Sequence, residues 1–247
     1  SYNDADLTHT YTGDFNTSSD KTIKFDGEVK VLKVTGAQET KLKTISNWGQ
    51  INITTANMFE DCVNLQITAS NAPNISTTSL YSCFKSCAKI VNIGTGWNVS
   101  SVQNFGHMFH GTALFNGTDL VNWNTSSATA LDQMFFYAED FNQYINGWDV
   151  SNVTNMESAF RNASDFNQSL SSWNFVDVAN FSNFMLNANN VSTANYNALL
   201  VQIEDTNLKT NLSFHGGDAT HTGVGTTARN LLTSRSPAWT ITDGGAG

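Results

Sequence analysis

The chain repeats itself. "GWDVSNVTNMESAFRNASDFNQSL" (147–170) is followed at once by "SSWNFVDVANFSNFMLNAN", a worn copy of it. The pair Met134-Phe135 recurs as Ala159-Phe160 and Phe184-Met185 downstream, and as Met108-Phe109, Cys83-Phe84 and Met58-Phe59 upstream. In chain order the intervals are 25, 25, 26, 25 and 25 residues. One unit of that length cannot bury its apolar side alone, so the copies must stack, and this decides the architecture before any local reading.

The columns of the repeat show what each copy is made of. Counted from the first residue of the pair, position −3 holds Thr55, Leu80, Phe105, Leu131, Met156 and Phe181, and position +1 holds Phe59, Phe84, Phe109, Phe135, Phe160 and Met185. Position +4 is small: Cys62, Cys87, Thr112, Ala138, Ala163 and Ala188. Positions −3, 0, +1 and +4 make an i, i+3, i+4, i+7 stripe, which predicts a short amphipathic helix in every copy. Ser76, Ser100, Ser126 and Ser151 stand just ahead of it as expected N-caps. Position +7 is apolar again, and Asn116, Asn142 and Asn167 follow it as expected turn closers. Short segments such as "DLVNW", "YINGW" and "SLSSW" then predict strands, with a Trp column at 48, 97, 123, 148 and 173. The expected fold class is α/β: a leucine-rich-repeat-like solenoid of about six 25-residue strand–helix units, with a parallel ribbon on one face and a row of helices on the other.

"FNQSLSSWNF", "FNQYINGWDVSNVTNMESAF" and "NMFEDCVNL" resemble the BspA-type leucine-rich repeats, also described as the DUF285 repeat family. The resemblance runs over roughly Ser46 to Asn190. It implies a surface-displayed, repeat-built binding protein of bacteria, phage or marine microbes, with no catalytic residues.

Three segments are expected. Residues 46–190 are the repeats. Residues 1–45 alternate apolar and polar side chains in "LTHTYTGDFNTSSDKTIKFDGEVKVLKVTG", which reads as β-strands. They form either a β-rich N-terminal cap or, since "LTHTY…KTIKFDG" resembles the last strands of a PKD-like sandwich, the end of such a domain. Residues 191–247 form a C-terminal capping segment and linker. Within it "STANYNALLVQIED" reads as a helix capped by Ser192 or Thr193, "NLSFHGG" as a strand, "TTARNLLTSRS" as a helix and "AWTITDGG" as a last strand.

Composition narrows the function classes. With 12 basic residues and a net charge of −9, a nucleic-acid backbone is not an expected partner. No apolar run approaches the length of a membrane span, so no membrane insertion is expected. Three Cys cannot all pair internally. Cys62, Cys83 and Cys87 occupy apolar or small columns and read as core, with a Cys62–Cys87 disulfide as the rarer alternative. His107 and His110 form H-x-x-H, but no further ligand stands at a matching offset, so they read as solvent-facing helix residues. Asn-x-Ser/Thr recurs, for example at Asn52, Asn98, Asn124 and Asn152, mostly where the repeat itself places Asn and Ser. Nucleophile elbow, P-loop and paired-carboxylate patterns are missing, so no enzyme, cofactor or metal is expected.

Surface remains. On the expected strands the outward residues are Gln143, Tyr144, Asn146, Gln168, Ser169 and Ser171, with Thr118 and Asp119 one copy earlier. This neutral strip of amides and hydroxyls with one aromatic is the candidate ligand-binding face. The expected function is a non-enzymatic adhesion or receptor-binding module, extracellular, on a cell surface or on a virion tail or fibre. Its partner would be a host or cell-surface protein or glycan. The alternative is a structural spacer or virion subunit that packs on copies of itself.

Overall fold

The computed structural model describes residues 39, 42–49 and 51–247. Almost all of the expected N-terminal β-rich segment, including the PKD-like strands, lies outside the described residues.

The expected solenoid of strand–helix units does not form. Among the described residues there are two α-helices, and both follow the last repeat: α1 (Thr193–Thr206) and α2 (Gly223–Ser234). The named strands are short parallel pairs. β1 (Thr44–Ile45) pairs with β3 (Gln66–Ile67), and β2 (Asn52–Ile53) with β4 (Asn74–Ile75). Near the C-terminus β5 (Ser213–His215) pairs with β6 (Thr240–Thr242). Thr118–Asn122, expected as a strand, is a 3₁₀ turn of helix.

Backbone hydrogen bonding shows why the amphipathic stripe is not a helix. Leu131, Gln133, Phe135 and Tyr137 donate their N–H groups to the carbonyls of Asn155, Glu157, Ala159 and Arg161, one copy further on. The alternate residues Met134, Phe136 and Ala138 donate within the copy, to Leu131, Gln133 and Phe135. Each second N–H is thus consumed by a neighbour, and the i→i−4 pattern of an α-helix is never completed. Copies are further joined by parallel bridges along Ser79, Asn104, Ala130, Asn155 and Asn180. The repeat is a chain of tight turns bonded copy to copy.

Those turns need left-handed backbone at −1 and +3. Positive φ occurs at Asn57 and Asp61, Ser82 and Ser86, His107 and Gly111, Gln133 and Tyr137, Ser158 and Asn162, and Asn183 and Asn187. Gly and, to a lesser degree, Asn and Asp accept this region; other L-residues pay about 1–2 kcal/mol there. Gln133, at φ 53°, therefore stores strain that Asn in the same column relieves. Gln133→Asn should raise the free energy of urea unfolding by about 0.5–1 kcal/mol, and Gln133→Val should lower it by about 1–2 kcal/mol. The opposite order of the two variants would remove the left-handed column from the account.

Inside, the columns stack as aromatic ladders. Phe59, Phe84, Phe109, Phe135 and Phe160 lie face to face with centroids 5.5, 5.9, 5.8 and 5.6 Å apart. Trp123, Trp148 and Trp173 follow at 5.9 and 6.2 Å. The buried indoles of Trp148 and Trp173 donate Nε1–H to the carbonyls of Leu120 and Ile145. The small column at +4 is fully enclosed, which is where Cys62 and Cys87 sit.

The last repeat passes its ladder to the C-terminal segment. Phe181 bridges to Phe214 of β5, and Met185 N–H donates to the His215 carbonyl at 2.9 Å. Ser192 caps α1 by accepting from Asn195 N–H, and Asn207 at its other end donates its amide to the Phe175 and Val178 carbonyls. The two helices meet closely at Gly225, where a Cβ would lie 2.9 Å from Cα of Asn197. Gly244 and Gly247 bond back to Ala219 and His221. No helix among the described residues is long and apolar enough to cross a membrane.

Candidate ligand-binding surface

The turn after the Phe115, Phe141 and Phe166 column carries the residues singled out above. Its Asn residues form a ladder between copies, where turn closure within one copy was expected. Asn116 Oδ1 accepts from Asn142 N–H and from Gln143 Nε2 at 3.0 and 2.7 Å. Asn142 Oδ1 accepts in the same way from Asn167 N–H and Gln168 Nε2, both at 2.9 Å. Gln143 and Gln168 do stand one copy apart, and each gives one amide N–H to this ladder. They brace the surface.

Tyr144 is different: it is 52% exposed. Beside it Asn146 and Ser172 are locked to each other across copies. Asn146 Nδ2 donates to Ser172 Oγ at 3.0 Å, and Ser172 N–H donates to Asn146 Oδ1 at 2.9 Å. Tyr144, Asn146, Ser172, Asn174 and Asp149 line a shallow groove of about 310 Å³, floored by Trp148. Asp149 accepts from the hydroxyl and the N–H of Ser151, and these bonds hold its carboxyl below the usual range. It is therefore ionised at the groove edge.

Of the six residues expected on the surface strip, the structure brings Tyr144 and Asn146 into the groove. Gln143 and Gln168 sit in the amide ladder. Ser169 and Ser171 bond to each other, Oγ to Oγ at 3.0 Å, away from the groove lining. None of them lies on a strand. Asp119, also expected at the surface, is buried and accepts from the N–H groups of Gly96 and Trp97. Ser172, Asn174 and Asp149 were missed. Asn98, Asn124, Asp149 and Asn174 share a column, and each accepts from the N–H two residues ahead. That column was legible, but its Ser neighbours were read as helix caps; their hydroxyls serve these turns instead.

The charged side chains of the repeated turns hold contacts between copies. Lys85 pairs with Glu60 at 2.9 Å, Asn180 donates to Glu157 at 3.1 Å, and the Arg161 guanidinium lies 5.2 Å from the Phe136 ring centre. The three Cys are core residues and are not disulfide-bonded. Cys87 donates S–H to the Phe59 carbonyl. Its thiol is pushed up by a hydrogen bond with Cys62 and by burial, and burial pushes up Cys83. Neither Cys83 nor Cys87 is a reactive thiol.

His107 and His110 are half-buried, where solvent-facing rings were expected. His107 packs on Tyr81 and His110 against the edge of Phe136. His107 Nε2 lies 3.6 Å from the Asp132 carboxylate, and the two Nδ1 atoms are 3.2 Å apart. Burial lowers both imidazoles, His110 to about 4 with help from His107 and Lys85. Among the described residues no three His, Cys, Asp or Glu side chains stand close enough to share a metal ion.

The repeated turns and the start of α1 lie in a stretch with a recognisable counterpart. Residues 78–198 match the family described as Mycoplasma protein of unknown function, DUF285. The match spans just under half of the chain. It supports the DUF285 part of the resemblance and does not extend to the BspA-type assignment or to the PKD-like strands. No curated protein and no solved structure matches the chain.

Proposed function

We propose that the chain is a non-enzymatic binding module, working in adhesion or receptor binding outside the cell or on a virion. It takes a cell-surface glycan or protein through the turn face that carries Tyr144. The observation that supports this reading is the half-exposed Tyr144 beside amide and hydroxyl groups whose orientations are fixed by neighbours. An exposed aromatic supplies contact area at little entropic cost, and preorganised polar groups lose little freedom when a ligand arrives. On the other face Lys85 with Glu60, and Glu157 with Asn180, already hold partners within the stack and gain less from a ligand.

The test begins with binding screens on glycans and on cell-surface extracts. Tyr144→Ala should then weaken any affinity found by roughly tenfold or more, about 1.4 kcal/mol. Gln168→Ala is a poor probe because it also cuts the amide ladder. The reading fails if Tyr144→Ala leaves binding intact while Glu157→Ala with Arg161→Ala abolishes it. Concentration-dependent self-association without any ligand would favour the structural-subunit alternative.

A further inference from the structure

The pair His107–His110 has a geometry that neither the stack nor the groove requires. The ring planes differ by 9°, the ring centres are 5.4 Å apart, and the Nδ1 atoms are 3.2 Å apart. The gap between those two distances is taken up by the two ring radii. The rings therefore lie edge to edge, not face on face, and Nδ1 meets Nδ1 head-on. The two Nδ1 atoms face each other nearly in line, one donating and the other accepting.

We propose that His107 and His110 form a linear two-coordinate site for a monovalent soft cation of the Cu(I) or Ag(I) type. Coordination geometry is diagnostic of the ion. Zn(II) takes four ligands whose lone pairs converge tetrahedrally. Two facing nitrogens do not converge in that way, and no third ligand stands nearby among the described residues. A d¹⁰ monovalent ion asks only for two donors in line. It needs the nitrogens roughly 4 Å apart, about an ångström beyond their present separation.

The surroundings supply the rest. Asp132 Oδ2 lies 3.6 Å from His107 Nε2, beyond hydrogen-bond reach, and its charge favours the tautomer that carries the proton on Nε2 and leaves Nδ1 free for the ion. In that tautomer the proton of the hydrogen bond between the rings belongs to His110 Nδ1. On binding that proton moves to His110 Nε2, so the ion enters without net proton release. The rings of Tyr81 and Phe136 flank the pair and limit water around it.

The repeat provides variants that keep the fold. Position −1 holds Asn57 and Asn183 in other copies, and +2 holds Leu186. His107→Asn and His110→Leu are therefore substitutions that the stack already carries elsewhere. The full chain would be titrated with Ag(I) in chloride-free buffer, with stoichiometry read by native mass spectrometry and the site read from ¹⁵N shifts of labelled histidine. The histidine label separates this site from the buried thiols, which also attract silver.

One Ag(I) should move the Nδ1 resonances of His107 and His110 together, while Zn(II) leaves them in place. Each single variant should lose one bound Ag(I) and keep its melting transition. Asp132→Asn should weaken binding through His107, by less than the roughly 10–100-fold cost of losing a hydrogen-bonded outer-shell partner. Histidine resonances that stay unmoved while silver binds only at thiols would overturn the proposal. So would undiminished binding in either His variant, or Zn(II) binding the pair as well as Ag(I).

Discussion

Phe135→Ala should lower the free energy of unfolding by about 3–5 kcal/mol, the usual cost of emptying a buried aromatic site. Phe135 is sandwiched between Phe109 at 5.8 Å and Phe160 at 5.6 Å, with Phe141 of its own copy at 3.8 Å. Removing the ring opens a gap in the ladder on both sides, and neighbours held by copy-to-copy hydrogen bonds cannot collapse into it. Where stability is a sum over adjacent units, a break in the middle costs two interfaces. Among the described residues Phe59 stacks on Phe84 in the following copy and meets Trp48 edge to face. Phe59→Ala should therefore cost less than Phe135→Ala in parallel urea titrations. Equal losses at the two positions would contradict a stack whose strength builds from copy to copy.

The period, the buried columns and the C-terminal elements were legible in the sequence. The aromatic, Trp and small-residue columns are all in the core, and α1, β5, α2 and β6 fall on the segments that read as helix, strand, helix and strand. The local conformation of the repeat was not legible. Leu131, Met134, Phe135 and Ala138 have helical spacing, but two successive turns put the same residues on one side. What separates the two solutions is the source of the hydrogen-bond acceptor. A helix finds it four residues back; here Gln133 and Tyr137 find it in the next copy, and periodicity within one copy cannot show that. A trace did exist. Asn57 with Asp61, and Asn183 with Asn187, put left-handed-tolerant residues four apart inside the supposed helix, which a helix has no use for.

The candidate surface was half legible for a related reason. Tyr144 and Asn146 stood out as an aromatic and an amide in a neutral turn. Their partners Ser172 and Asn174 come from the next copy, so finding them required the register between turns. Gln143 and Gln168 looked like free donors because their acceptors, Asn116 and Asn142, also lie one copy away.

Asp243→Ala should cost about 2–4 kcal/mol, the range for leaving buried hydrogen-bond and charge partners without their acceptor. Its side chain is 2% exposed and joins three parts of the C-terminal segment. Oδ2 accepts from Arg229 Nε of α2 and from the Tyr196 hydroxyl of α1, both at 2.8 Å, and Oδ1 accepts from Gly245 N–H. Burial alone would raise this carboxyl. The hydrogen bonds from Arg229, Tyr196 and Gly245 outweigh it and hold Asp243 below its ordinary value. A carboxylate depressed in the folded state stabilises fully above its unfolded pKa of about 3.9, and the contribution disappears as pH falls through the lower folded value. The melting temperatures of wild type and Asp243→Ala should therefore differ most near neutral pH and converge below about pH 4. The consequence reaches the repeats, because Tyr196 also stacks on Phe214, and Phe214 in β5 bridges to the last copy at Phe181. Amide exchange at Met185, which donates to His215, should quicken in the variant while exchange at Leu131 stays slow. A melting difference independent of pH down to 3, or unchanged exchange at Met185, would show that this network does not close the end of the stack.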